Sequence, residues 1–165
     1  MANDIGGKEP EVPIKEKEPQ RSIKTLMVED DVAIVSLLRQ VFEMSGFKIA
    51  DADITDNVPD ALKRLEEAKR KGESYDFVFS DLGLVNDKEG GYKIAQAVKD
   101  EQLAEYFTLF TGSAVFVKQK YPTSEKLKEV GIDNLIGKPV SVKDLREGLR
   151  QAKEAITNPP SSLAQ

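Results

Sequence analysis

Six side chains in this sequence are of types that phosphoryl chemistry uses, and they stand directly after apolar runs. Ile23–Val28 leads into Glu29, Asp30 and Asp31. Tyr75–Ser80 leads into Asp81, Tyr106–Phe110 into Thr111, and Ile132–Gly137 into Lys138 and Pro139. A carboxylate fixed at the end of a buried strand can attack a phosphoryl donor in line and form an acyl phosphate, which makes Asp81 the candidate nucleophile. Glu29 and Asp30 beside it would repel Asp81 unless a cation sat between them. Mg²⁺ keeps several of its own waters, so two carboxylates and a carbonyl are enough to hold it. Asp31 is better placed as the cap of the following helix, where an acid also favours the helix dipole. Thr111 could hydrogen-bond a phosphoryl oxygen, and Gly112 leaves room for the group and its donor. Lys138 could pair with Asp81 and then with the phosphoryl oxygen, and the bond to Pro139 is of the kind that can be cis. Singly, each residue also has a plain structural use: loop cap, helix cap, strand end, solvated charge. Their joint occurrence in this order points to one site.

The elements that would position these groups alternate along the chain. Ile23–Val28 is a compact apolar strand. Ile34, Leu38, Val41 and Phe42 then share one helical face, with Gly46 as the stop. Phe47–Ala52 is expected as a second strand. Asp56 or Asn57 caps a helix that turns Val58, Ala61, Leu62 and Leu65 inward and ends at Gly72. The continuous apolar run Tyr75–Ser80 suits a strand buried on both faces. The spacing predicts helices over Tyr92–Lys99 and Ser124–Val130, and strands over Tyr106–Phe110 and Ile132–Ile136. Ser141 caps a last helix with Val142, Leu145, Leu149, Ala152 and Ile156 on one stripe. Five strand–helix units of this kind imply an α/β fold with a parallel sheet and helices on both faces. Functional groups in such sheets gather beyond the C-terminal strand ends, where all six residues fall.

Composition narrows the chemistry. The chain has 165 residues, 39% hydrophobic and 32% charged, with a net charge of −5, so it can form a core and offers no basic footprint for nucleic acid. It contains neither Cys nor His. Disulfides, thiolate sites and imidazole bases are excluded, and any metal must sit on oxygen, which favours Mg²⁺, Mn²⁺ or Ca²⁺. There is no long apolar run to span a membrane and no apolar signal-peptide core. Residues 1–21, rich in Lys, Glu and Pro, are expected to be a disordered tail, 22–157 the folded domain, and 158–165 a flexible tail begun by Asn158-Pro159-Pro160.

The motifs Val28-Glu29-Asp30-Asp31, Asp81 after Phe77-Val78-Phe79-Ser80, Thr111-Gly112 and Lys138-Pro139 together resemble the receiver domains of two-component response regulators. The likeness covers about residues 23–156. It implies the doubly wound, flavodoxin-like five-stranded parallel sheet of order 2-1-3-4-5. It implies that Asp81 is the phosphorylated aspartate and that Thr111 and Lys138 bind the phosphoryl group and report it. Mg²⁺, with Mn²⁺ as a substitute, would be held by Asp30, Asp81, the Gly83 carbonyl and, through water, Glu29. The donor would be a histidine kinase or a histidine phosphotransfer protein, and the setting cytoplasmic. A downstream protein target would bind the face made by the fourth helix, fifth strand and fifth helix. The domain would not be an enzyme on other molecules. It would catalyse its own phosphorylation and dephosphorylation.

The sequence departs from that pattern in several places. Leu135 stands where the family usually has an aromatic residue three positions before the lysine. Ala114–Pro122 looks like extra sequence, and Val85 replaces a usual proline. Gly83 and Ser113 offer little near the attacking water, so phosphoryl lifetime should differ from that of relatives with longer polar groups there. Two readings compete: a phosphorylated receiver without an output domain, since the C-terminal tail is short, and a phosphorylation-independent interaction module of the same fold. A phosphohydrolase of the haloacid dehalogenase type needs an acid two residues after the nucleophile, where Gly83 stands. Nucleotide-binding motifs are absent.

Overall fold

A computed structural model describes residues 7, 9–13 and 21–159. Residues 9–13 are exposed and form no helix or strand, and the rest of the expected 1–21 tail, apart from Gly7 and Arg21, lies outside the described residues, as do residues 160–165.

The chain runs β1 (Ile23–Val28), α1 (Val32–Met44), β2 (Phe47–Lys48), a 3₁₀ turn (Asp51–Asp53), β3 (Ile54–Thr55), α2 (Val58–Arg70), β4 (Tyr75–Asp81), α3 (Gly90–Glu101), β5 (Ala104–Thr111), α4 (Ala114–Lys120), α5 (Ser124–Glu129), β6 (Asn134–Gly137) and α6 (Val142–Thr157). Every strand pairing is parallel, in the order β2-β1-β4-β5-β6, with β3 also on β1. Counting β2 and β3 as one interrupted edge strand returns the expected 2-1-3-4-5 order. The helices α1, α2 and α6 start where the sequence offers caps. The Asp31 carboxylate accepts from the Ala33 and Ile34 amides, Asn57 from Asp60, and Ser141 from Asp144. Gly46, at φ +86°, turns the chain out of α1 as no side-chain-bearing residue would readily do.

Among the boundaries that differ from expectation, two do so for a visible physical reason. Phe47–Ala52 is not one strand. Asp53 accepts its own turn's Ala50 amide and the Tyr75 hydroxyl, and Asp51 pairs with Arg39, so side chains take over from the ladder. The last strand begins at Asn134 rather than Ile132, because the Asp133 carboxylate occupies the Phe107 amide at 2.8 Å. Ala114–Pro122, the stretch that looks like extra sequence, forms an element of its own. It holds α4, separated from α5 by Tyr121-Pro122-Thr123, with Thr123 capping the second helix.

Two cores flank the sheet. One, under α1 and α6, stacks Phe42, Phe47, Phe77, Phe79 and Phe110. The other, under α2, α3, α4 and α5, is largely aliphatic, built around Leu26, Val78, Ile94, Phe107 and Leu109. Among the described residues no helix is long and apolar enough to cross a membrane.

Candidate functional site

The parallel register sets the ends of β1, β4, β5 and β6 side by side. Val28 pairs with Ser80, Asp81 with Phe110, and Thr111 with Gly137, so the residues that follow meet at one edge. Alternation then sorts the side chains. Glu29, Asp81 and Lys138 share the parity of Met27, Phe79 and Ile136 and lie over the aromatic core. Thr111 shares the parity of Leu109 and faces the aliphatic one.

Lys138 is the hub. Its ammonium donates to Glu29 Oε2 and to Asp81 Oδ2, each at 2.9 Å, while its own amide donates to the Thr111 carbonyl at 2.9 Å. The Lys138–Pro139 bond is cis. Glu29 is almost fully buried at 3% exposure, and its other oxygen accepts from the Asp31 amide. Asp81 Oδ1 accepts from the Leu82 amide at 2.7 Å, which fixes the carboxylate's rotation. Burial pushes the Glu29 carboxyl above the usual range, against the pull of the Lys138 hydrogen bond. Burial also opposes the charge on Lys138, but the hydrogen bonds and attraction of Asp81 and Glu29 outweigh it and raise its pKa.

One carboxylate oxygen from each of Glu29, Asp30 and Asp81 lies within 4.8 Å of the others. Three carboxylates against the single ammonium leave a deficit of two positive charges, and all the donors are hard oxygens, so the cluster fits a small divalent cation such as Mg²⁺. Gly83 lies two residues beyond Asp81 in an exposed loop. That loop is closed by paired Leu84–Asp87 backbone bonds and by the Gly91 amide on the Leu82 carbonyl at 2.8 Å. Thr111 is at the edge, and its hydroxyl accepts from the Ser113 amide at 3.1 Å rather than meeting Asp81 or Lys138.

Two residues not singled out by sequence shape the site. Gly91 sits so close beneath it that a Cβ there would collide with the Asp81 carbonyl and come within 2.8 Å of Leu82 Cα. Phe110 places its ring under the Lys138 ammonium, 4.8 Å from ring centre to nitrogen. The Gly90-Gly91 pair at a helix start is a visible signal for the first. The second depends on cross-strand register, which spacing along one chain does not reveal.

A β4 aspartate, a carboxylate pair just after β1, a threonine on β5 and a lysine after β6 on this sheet define a receiver. The chain belongs to the response regulator receiver domain family, whose model matches residues 25–150. Among curated proteins it is 26% identical over 155 residues to the virulence sensor protein BvgS of Bordetella bronchiseptica, covering 88% of this chain and 11% of that protein. BvgS of Bordetella pertussis matches equally, at 26% identity and the same coverage. The chain thus spans about a tenth of the length of these relatives, 11%. Among solved structures it resembles a CheY-like receiver domain protein from Methanospirillum hungatei JF-1, at TM-score 0.65 and 22% identity over 83% of this chain and 98% of that one. The chemotaxis response regulator CheY4 of Vibrio cholerae gives TM-score 0.61 and 19% identity, over 80% and 99%. These structural likenesses establish the fold, and the family establishes two-component signalling.

Proposed function

We propose that Asp81 accepts a phosphoryl group from a phosphohistidine on a histidine kinase or phosphotransfer protein. In that step an Asp81 oxygen forms the new P–O bond, the P–N bond breaks, and the electron pair returns to the donor imidazole. The observation that carries this reading is the ammonium of Lys138 shared between Glu29 and Asp81. It holds the nucleophile in place and stands ready to take a negative phosphoryl oxygen. Glu29, Asp30, Asp81 and the Gly83 carbonyl would hold Mg²⁺, which supplies charge neutralisation and alignment of the acceptor with the transferring group. Thr111 gives up the Ser113 amide and turns its hydroxyl to the phosphoryl oxygen, which moves the start of α4. The signal then reaches a protein target through α4, α5, β6 and α6, in the cytoplasm and without contact to nucleic acid. No catalysis on other molecules is expected. The relation to proteins named as virulence sensors supports a role in passing a signal onward.

Leu135, in place of an aromatic residue, and the break between α4 and α5 favour a second reading, docking without phosphorylation. Incubation with acetyl phosphate and Mg²⁺, beside Asp81→Asn, separates the two by intact mass. A phosphoryl-sized gain that needs Mg²⁺ and vanishes in the variant supports the receiver. No gain under any condition leaves the docking module.

A further inference from the structure

Lys138 follows β6, while the carboxylates it contacts follow β4 and β1. Its side chain therefore crosses the end of β5, an offset of two strand spacings of about 4.8 Å each between β6 and β4. A four-carbon stem covers such a gap by lying along whatever surface β5 offers. That surface is Phe110, the register partner of both Asp81 and Ile136. Its ring is 3% exposed and is braced by Phe79 at 5.1 Å, while its face meets the ammonium at 4.8 Å. The contact differs in kind from the two ion pairs. Carboxylates compete for the ammonium with any arriving cation and phosphoryl group, whereas an aromatic face attracts a cation and competes with neither.

The geometry assigns Phe110 the role of a positioning residue for phosphoryl transfer: its ring holds the Lys138 ammonium at the β4 end while the lysine exchanges Glu29 and Asp81 for the phosphoryl oxygen. This rests on Asp81 being the phosphoacceptor. A leucine at 110 would fill much of the same space but offer no π face, so its lysine would be free to swing towards solvent whenever the carboxylates are otherwise engaged.

The test pairs a kinetic and a spectroscopic readout. Phe110 is replaced by Leu, by Tyr, and by phenylalanines carrying one, two and three ring fluorines, which weaken the π face with little change of shape. Loading of Asp81 from limiting acetyl phosphate is timed in each. Leu should slow loading by about three- to tenfold, Tyr should stay near the original rate, and the fluorinated series should fall stepwise. A flat fluorinated series overturns the assignment even if Leu is slow, because that pattern means packing alone. In parallel, NMR of the Lys138 ε-methylene should show an upfield ring-current displacement that Phe110→Leu abolishes. An ordinary lysine shift in the unaltered protein also overturns it. If the unaltered protein takes no phosphoryl group, the phosphoacceptor reading fails on its own, and the NMR arm still decides whether Phe110 seats the lysine.

Discussion

The two faces of the sheet are built from different materials and do different work. Under α1 and α6, Phe42, Phe79, Phe110, Phe77 and Phe47 form a chain of rings with centroids 4.9 to 6.2 Å apart. Such rings bury large areas in fixed orientations. The other face is mostly aliphatic. It carries four helices, two of them short, and leaves Val115 and Phe116 of α4 exposed at 67% and 71%. The fixed chemical groups Glu29, Asp81 and Lys138 stand over the aromatic face, and Thr111 opens onto the aliphatic one. Such a contrast sets the expectation of a rigid half that holds Asp81 and a more loosely tied half that responds to it.

Matched deletions test that division most severely. Phe79→Ala should cost about 3–5 kcal/mol in urea unfolding. It should also slow loading of Asp81 in protein that remains folded, because Phe79 braces Phe110. Leu109→Ala, buried on the opposite face, should cost about 2–5 kcal/mol but leave loading close to normal. Equal kinetic damage from both would erase the distinction.

Gly91 is where the aliphatic side presses on the acceptor, and it sharpens the comparison. Gly91→Ala pushes on the Asp81 carbonyl and should cost about 1–3 kcal/mol together with a loss of loading. Gly90→Ala meets the side chains of Val58 and Leu84 instead, so it should lower the melting temperature with loading preserved.

A smaller effect concerns Asp133, whose carboxyl is pushed up by burial despite its bond to the Phe107 amide. A raised acid favours the fold most below its unfolded value, near pH 4, and loses that contribution as pH rises through the folded value. At neutral pH the buried charge is a cost. Asp133→Asn keeps an acceptor for Phe107, so it should be at least as stable at pH 7 and show a flatter stability profile as pH rises from about 4 towards neutrality. Urea melts across that range would refute this if the two profiles ran parallel. Least of all, Phe116→Ser should change stability by no more than about 0.5 kcal/mol, since the ring packs on little. A large loss would mean that α4 is part of the rigid half.

The strand ends are readable in the sequence because parallel strands buried on both faces leave unbroken apolar runs, and the groups that follow them mark the sheet edge. Asp30, Asp81 and Lys138 are therefore legible from their spacing alone. The interruption between β2 and β3 is not, because it turns on which partner Asp53 chooses, its own turn or the ladder. The apolar pattern misplaces the start of β6 because an aspartate side chain at 133 imitates a strand neighbour. Phe110 reads as one more core residue, since its second role exists only once Lys138 lies across it.

The Lys138–Glu29 bond joins positions 109 residues apart, the first strand to the last. Closing so long a loop is entropically unfavourable, and nothing local rewards it early. Glu29, Asp30 and Asp81 can be made and even paired in sheet before Lys138 exists in the growing chain. A nascent or partly unfolded molecule then has an aspartate without its ammonium, and carboxylates that repel. On the phosphoacceptor reading of Asp81, competence to receive a phosphoryl group would arrive only with the final strand, and an unfinished molecule would stay out of the signalling pool.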